Sequence, residues 1–233
     1  VMKNVAGYDV SRLMAGAWGT LGVITAVSLK VLPVAPAEAT LKFECGQAEA
    51  LRRLNHWGGQ PLPLNASCWV EDAGIGTLFL RLRGAVAAVE AACRTLGGER
   101  QDNARVADDW EACRDQRLPW YASREPARGL WRLSVPQTAP VLTLPSGVAA
   151  PLVEWHGGQR WVQAGREHAG ALREAAARVG GHATLFIADN DHSVLGFDRF
   201  EPLNAPLGHI HRRLKAEFDP ASVFNRGRLY AQL

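Results

Sequence analysis

Residues 15–25 read AGAWGTLGVIT, and the fold can be inferred outward from this stretch. Its three glycines, Gly16, Gly19 and Gly22, recur at every third position and lead into an apolar segment. A dinucleotide-binding fingerprint would need the spacing G-x-G-x-x-G after a strand, and a P-loop would end in Gly-Lys-Ser or Gly-Lys-Thr. Neither pattern is present. The glycines therefore predict a turn whose backbone can approach another surface closely.

Residues 23–32, which follow the glycines, have the pattern of a β-strand. Apolar or β-branched side chains occupy every second position from Val23 to Val31. Pro33 and Pro36 then interrupt the pattern, because proline cannot donate a hydrogen bond to a sheet. We predict a domain boundary at this point and divide the chain into residues 1–36, 37–200 and 201–233.

Short strands and helices alternate in residues 37–200. The patterns predict strands at 40–44, 67–71 and 77–83 with helices at 47–56 and 86–96, then strands at 130–135, 149–155, 160–163 and 183–188 with a helix around 172–179. A less regular stretch predicts a further helix near 109–118. This order is that of a ferredoxin-like fold. We predict an α+β domain with an antiparallel sheet, single or doubled, and helices on one face. A last helix follows Asn204.

Composition excludes several classes of protein. The 233 residues carry 26 basic and 23 acidic side chains without a basic run, which argues against a nucleic-acid-binding surface. No uninterrupted apolar stretch is long enough to predict a membrane-spanning helix. The four cysteines are not clustered as zinc ligands are, so we predict free, buried thiols in a reducing cytoplasm and no metal site.

Segments near both ends of the chain resemble a known family. Residues 3–33, KNVAGYDVSRLMAGAWGTLGVITAVSLKVLP, are similar to the end of the flavin-binding domain in FAD-linked oxidases of the vanillyl-alcohol oxidase type. Residues 218–230, FDPASVFNRGRLY, resemble the closing segment of the same family. The middle segments LWRLSVPQTAP and VEWHGGQRWVQA look most like the smaller FAD-binding subunit of bacterial glycolate oxidases.

The resemblance implies a two-part FAD-binding domain that ends in residues 1–36, an α+β cap domain in residues 37–200, and a tail, residues 201–233, that returns to the FAD-binding domain. It implies FAD as the cofactor, contacted by Asn4, Gly7, Tyr8, Asp9, Gly16, Gly19, Thr20, Gly22, Val23, Ile24 and Asn225. Three positions depart from the family pattern: Ala17 and Trp18 stand in place of Ser-Glu, and Arg226 in place of proline.

The function implied by the resemblance is oxidation of a 2-hydroxy acid, glycolate, to the 2-oxo acid through flavin. The implied partners are a larger flavin subunit and an iron–sulfur subunit of glycolate oxidase, in the cytoplasm or attached to a membrane through the complex. No catalytic acid or base can be named from the sequence. Two alternatives stay open: a non-catalytic assembly or electron-transfer subunit of the same complex, and a stand-alone FAD-linked oxidase.

The family's first FAD subdomain, which carries a glycine-rich pyrophosphate loop, has no counterpart in residues 1–233. We therefore expect this chain to be a C-terminal fragment that binds FAD only weakly by itself. Because part of the flavin domain's apolar surface would then lack its cover, we also expect self-association, or disorder, at the two ends of the chain and order in the middle.

Overall fold

The computed structural model describes residues 9–189 and 198–233, so Asn4, Gly7 and Tyr8 lie outside the described residues. Two compact units are present: one combines the described residues up to Leu32 with those from Asp198 onward, and the other runs from Pro33 to Asp189. The elements are α1 (Val10–Met14), β1 (Ala37–Glu44), α2 (Gln47–Gly58), β2 (Leu64–Asp72), β3 (Ile75–Gly84), α3 (Val86–Leu96), β4 (Glu99–Arg100), α4 (Asn103–Arg114), α5 (Pro119–Ala122), β5 (Gly129–Ser134), β6 (Leu152–Glu154), β7 (Gln159–Ala164), α6 (Ala169–Ala177), β8 (His182–Ile187) and α7 (Ala205–Phe218).

The second unit is built on one antiparallel sheet with the strand order β4-β1-β3-β2-β6-β7-β5-β8. Its first half, β4-β1-β3-β2, has the ferredoxin-like order, and its second half, β8-β5-β7-β6, repeats that order. The halves join where β2 pairs with β6, with Cys68 opposite Glu154 and Trp69 opposite Val153. The predicted α+β fold with a doubled antiparallel sheet is confirmed.

One face of this sheet packs against α2, α3 and α6. Strand alternation buries Leu78, Leu80 and Leu82 of β3 on this face, together with apolar side chains of α2 and α3. The register continues the same face through Trp69, Val153 and Arg160 into the second half. There the guanidinium of Arg173 from α6 lies 6.0 Å from the centre of the Trp131 ring. These contacts form the larger core of the domain.

The opposite face is covered in part by α4 and α5, so the prediction that all helices lie on one face is wrong. This face also carries large apolar side chains that need cover, and they pack with residues of α4 and α5 in a second cluster that includes Cys68, Trp110, Cys113, Tyr121, Leu130, Leu152 and Trp161. The helix predicted near 109–118 starts earlier, at Asn103, because the Asp102 side chain accepts a hydrogen bond from the Arg105 N–H.

The second half departs from the first in the connection between β5 and β6. No helix forms in residues 135–151, which contain four prolines, at 136, 140, 145 and 151. Proline removes a backbone donor and disrupts a helix interior, which accounts for an irregular connection. The strand predicted at 149–155 is correspondingly short and covers only Leu152–Glu154.

The first unit contains α1, the glycine turn and α7. The helix predicted after Asn204 is confirmed, and the Asn204 side chain caps it by accepting from the Leu207 N–H at 3.0 Å. The strand predicted at 23–32 is wrong, since these residues form no strand and Leu29 is 80% exposed. A strand needs a neighbour for its backbone N–H and C=O groups, and residues 21–33 have none in the described part of the chain.

Candidate functional site

The predicted glycine turn is observed directly after α1. The Thr20 N–H and the Thr20 hydroxyl both donate to the Ala17 carbonyl, at 3.0 and 2.7 Å. Trp18 and Gly19 adopt left-handed backbone angles, with φ of 54° and 70°. A Cβ on Gly19 would lie 2.7 Å from Asn225 Nδ2, a distance that atoms in contact do not adopt. Glycine is therefore required at position 19 both for the conformation and for the space.

Asn225 closes this turn from the other end of the chain. Its side-chain Nδ2 donates to the Trp18 carbonyl at 2.8 Å. The structure thus brings together two of the residues that the resemblance implied, Gly19 and Asn225. Trp18, which stands where the family has glutamate, packs edge-on against Phe200, and the guanidinium of Arg228 lies 5.2 Å from its ring centre.

A buried lysine, which the sequence analysis missed, holds the turn and the tail in place. Lys215 Nζ donates to the Thr20 carbonyl at 2.7 Å, to the Phe224 carbonyl at 2.7 Å and to Asp219. The Asp219 carboxylate also accepts from the Val223 and Phe224 N–H groups. Burial acts to raise the pKa of Asp219, but the hydrogen bonds from Lys215, Phe224 and Val223 outweigh it and lower the pKa to about 2. The sequence did contain a clue to this ion pair, because Lys215 and Asp219 are four residues apart, the spacing of side chains that meet on one face of a helix.

The residues after the turn fit contact with a flat, partly polar group such as a flavin. Val23 and Ile24 are 74% and 57% exposed. In the part of the chain that the structure describes, the N–H groups of Gly22, Val23 and Ile24 donate to no acceptor. Unsatisfied donors beside uncovered apolar side chains are suited to a ring system with hydrogen-bonding edges. Asp9, in contrast, caps α1 and pairs with Arg12 at 3.0 Å.

A second candidate site is a cleft of about 610 Å³ in the second unit, on the sheet face that carries α4. A space of this size accommodates a small organic ligand. Polar and aromatic side chains from β2, β3, α4, β5, β6, β7 and β8 line it, including Asn65, Ser67, Arg81, Trp110, Arg114, Arg132, Glu154, His156, Gln159, Trp161 and Phe186. Sequence analysis did not predict this cleft, because its lining residues are scattered over more than a hundred positions.

Glu154 is a buried carboxylate in the wall of the cleft. Its oxygens accept from the Cys113 thiol at 2.9 Å, the Gln159 amide at 3.0 Å and the Trp161 indole N–H, with the Tyr121 hydroxyl at 3.4 Å. Within the described residues no cation lies within ion-pair distance of it. The pKa of the Cys113 thiol is raised by its hydrogen bond to Cys68, by burial and by the charge of Glu154. Neutral donors alone therefore hold this carboxylate.

A strained turn connects β6 and β7 at the edge of the cleft. Trp155, His156 and Gly157 have φ of 52°, 52° and 97°, a left-handed run that L-residues rarely adopt. The His156 N–H donates to the Ser67 hydroxyl at 2.9 Å, which fixes the turn against β2. Burial lowers the pKa of the His156 imidazole and so favours its neutral form.

The described residues contain no cluster of three or more metal-ligating side chains, and no helix among them is long and apolar enough to cross a membrane. All four cysteines are free. Cys68 and Cys113 are buried as predicted, whereas Cys45 and Cys93 are half-buried.

No protein-family model matches the chain. A comparison with characterised proteins finds 42% identity over the whole chain with the glycolate oxidase subunit GlcE of Escherichia coli strain K12. The chain is a homologue of GlcE. The match covers the whole of this chain, so the similarity is not confined to the two end motifs. The predicted resemblance is confirmed. The chain spans 60% of the length of GlcE.

Proposed function

We propose that this chain is part of an FAD-binding subunit of a glycolate oxidase. The observation that carries the proposal is the contact between Asn225 and the Trp18 carbonyl. It joins the two segments for which the family resemblance implied FAD contact. Homology to a protein named as a glycolate oxidase subunit supports the same proposal.

In this proposal residues 1–36 and 201–233 belong to the FAD-binding domain and residues 37–200 form the cap domain. The backbone of the turn from Gly16 to Gly22 lies along FAD, Val23 and Ile24 meet its rings, and Asn225 holds the turn in shape. A Cβ added at Gly16 would meet no atom within 4 Å, so the outer side of the turn is open to a ligand. The proposal also keeps Asn4, Gly7, Tyr8 and Asp9 as FAD contacts, as the family resemblance implies.

The proposed reaction is oxidation of glycolate to glyoxylate, which removes two electrons and two protons from the hydroxyl-bearing carbon and its hydroxyl. When bound, FAD supplies the two-electron acceptor. The protein's part is to bind and orient both molecules and to exclude water. The proposed partners are a larger flavin subunit and an iron–sulfur subunit, and the proposed location of the complex is the cytoplasm.

The rival function is a non-catalytic assembly or electron-transfer subunit of the same complex. A subunit of this kind would have the same fold and the same glycine turn but would not oxidise the substrate. A stand-alone oxidase of the same fold would differ from both because it would turn over its substrate without partners. Reduction of the bound flavin by glycolate, measured on the intact subunit alone and with its partners, separates the three.

The test of FAD binding uses the intact subunit that contains this chain. Gly19→Ala should lose most of the bound flavin, because its Cβ would push Asn225 away from the turn. Gly180→Ala is the matched control, since Gly180 has a similar φ of 80° but open space around a Cβ. The measurement is the ratio of flavin absorbance to protein. An intact subunit without flavin, or equal flavin content in the two variants, would contradict the proposal.

A further inference from the structure

One end of the cleft in the second unit carries a cation that its surroundings do not neutralise. Arg81 projects from β3, and its guanidinium stacks on the Trp110 ring at 4.9 Å. Its Nε donates to the Asn65 side-chain carbonyl at 2.8 Å, while its two terminal nitrogens donate to no acceptor in the described residues. A half-buried guanidinium has five donors, so most of its hydrogen-bonding capacity is unused.

The charges around Arg81 make this end of the cleft attractive to an anion. Burial lowers the pKa of Arg81, and the neighbouring positive charges of Arg83 and Arg114 lower it further against the opposing effect of Glu38. Glu38 is paired with Arg83 at 2.8 Å, and Arg114 is paired with Asp115 at 2.7 Å. Neither of these two carboxylates forms an ion pair with Arg81.

The carboxylate in the cleft wall does not supply the missing negative charge. Glu154 is turned toward the Cys113, Gln159 and Trp161 donors and pairs with no arginine in the described part of the chain. Among the residues that line the cleft it is the one acidic side chain, against Arg81, Arg114 and Arg132. Although Arg114 is paired with Asp115, the lining carries more positive than negative charge, which favours a small anion.

The strand register places Arg81 on the sheet face that forms the cleft. Arg81 pairs with Ala66 on β2, and two residues further along β2 Cys68 pairs with Glu154 on β6. Because side chains two residues apart on a strand share a face, Arg81 and the Glu154 wall lie on the same side of the sheet. A carboxylate bound by the Arg81 guanidinium would therefore lie within the cleft.

We propose that the Arg81 end of the cleft binds the carboxylate of a small 2-hydroxy acid. The guanidinium presents two terminal nitrogens for a two-point hydrogen bond, Trp110 holds it in place, and Asn65 fixes its orientation. This assignment rests on the proposed function and deepens it, because it gives glycolate a binding residue in the second unit, which the resemblance did not name.

The test measures binding of glycolate to the intact subunit by calorimetry, with glycolamide, its uncharged analogue, as the second probe. Arg81→Met keeps the apolar stem on Trp110 and removes the charge. We expect its glycolate affinity to fall about ten- to hundredfold, as for a lost hydrogen bond between charged groups, and its glycolamide affinity to stay unchanged. Arg53→Met is the matched control, since Arg53 also lies over an aromatic ring, Phe43 at 5.5 Å, but is not among the residues that line the cleft.

The outcomes separate this inference from the proposed function. Loss of glycolate binding in Arg81→Met alone supports the site, even if the subunit does not oxidise glycolate. Equal loss in both variants, or no loss in either, overturns the assignment to Arg81. Glycolate turnover with an unchanged KM in Arg81→Met overturns it as well, while leaving the proposed function intact.

Discussion

At the scale of single residues, Arg160 shows how a buried charge can be structural. It is completely buried, and its Nε and Nη2 donate to the carbonyls of Gly157 and Ala139 at 2.7 and 3.1 Å. Burial lowers its pKa to about 10, so the guanidinium is still protonated at neutral pH. It ties the irregular connection of residues 135–151 to the strained turn after β6.

Replacement of Arg160 should therefore destabilise the second unit. Arg160→Met keeps most of the volume but leaves two buried carbonyls without donors, which costs about 2–4 kcal/mol in total. Urea unfolding followed by tryptophan fluorescence measures the change. Arg178→Met, an exposed arginine on a surface ion pair with Glu174, should shift the free energy of unfolding by less than about 0.5 kcal/mol. Equal stability of the two variants would show that Arg160 has no such role.

Residue-scale features of the site were only partly predictable. Gly19 and Asn225 were named through the family resemblance, since no periodicity links positions so far apart in the chain. Lys215 was missed because α7 was interpreted through its apolar stripe, and a lysine beside that stripe is usually exposed. Glu154 was missed for the related reason that its donors come from α4, α5 and β7, which the topology alone brings together.

At the scale of elements, the contact between α7 and the glycine turn should weaken at acid pH. The pKa of Asp219 is about 2 in the folded protein and about 3.9 in an unfolded chain. A carboxyl group whose pKa is lower in the folded protein than in the unfolded chain stabilises the folded protein at pH values above the unfolded pKa. This contribution is therefore complete above about pH 4 and is lost as the pH falls through about 2. Trp18, in the turn, should report the change by fluorescence.

The comparison for this pH dependence is Asp219→Asn, which removes the titrating group but keeps the side-chain shape. The difference in total tryptophan fluorescence between this variant and the original chain should be largest above about pH 4 and shrink toward about pH 2. Among the eight tryptophans, Trp18 is the one that lies in the first unit. Other carboxylates titrate in both proteins and cancel in the difference. A difference that stays constant over this range would contradict the role given to the Lys215–Asp219 pair.

Elements of the second unit were predicted well and those of residues 21–33 were not. Strands such as β3 and helices such as α3 carry a clear period of burial, because they lie between a core and solvent. Residues 23–32 have the strand pattern too, but the pattern encodes only which side chains seek cover. It does not supply the neighbouring strand, so the segment forms no strand and its side chains are exposed here.

At the scale of the whole molecule, this exposed segment predicts association. Leu29, Val31 and Leu32 are 80–87% exposed and lie close together in the sequence, and exposed apolar surface tends to find a partner. The 233-residue chain should self-associate, and a double change of Leu29→Lys and Val31→Lys should reduce the association in sedimentation experiments. Ile75→Lys, at an isolated exposed residue of the β2–β3 hairpin, should leave it unchanged. A strictly monomeric chain would contradict this prediction.

The topology could be predicted because each half of the sheet is assembled from neighbouring segments in chain order. What the sequence did not show was the division of helices between the two faces. Both α3 and α4 have an apolar side, but a helix pattern does not record which face of a sheet it will cover. That depends on where residues such as Phe79 and Leu152 leave apolar surface open.

The narrow junction between β2 and β6 has a consequence for the way the protein is made. The four strands of the first half find all their pairing partners, apart from this junction, between residues 37 and 100. During synthesis, that half can fold while the segment that encodes β5 to β8 is still being translated. Its open edge at β2 is then available for pairing with Leu152–Glu154. The sheet can therefore assemble in the order of synthesis, with the N-terminal half before the C-terminal half.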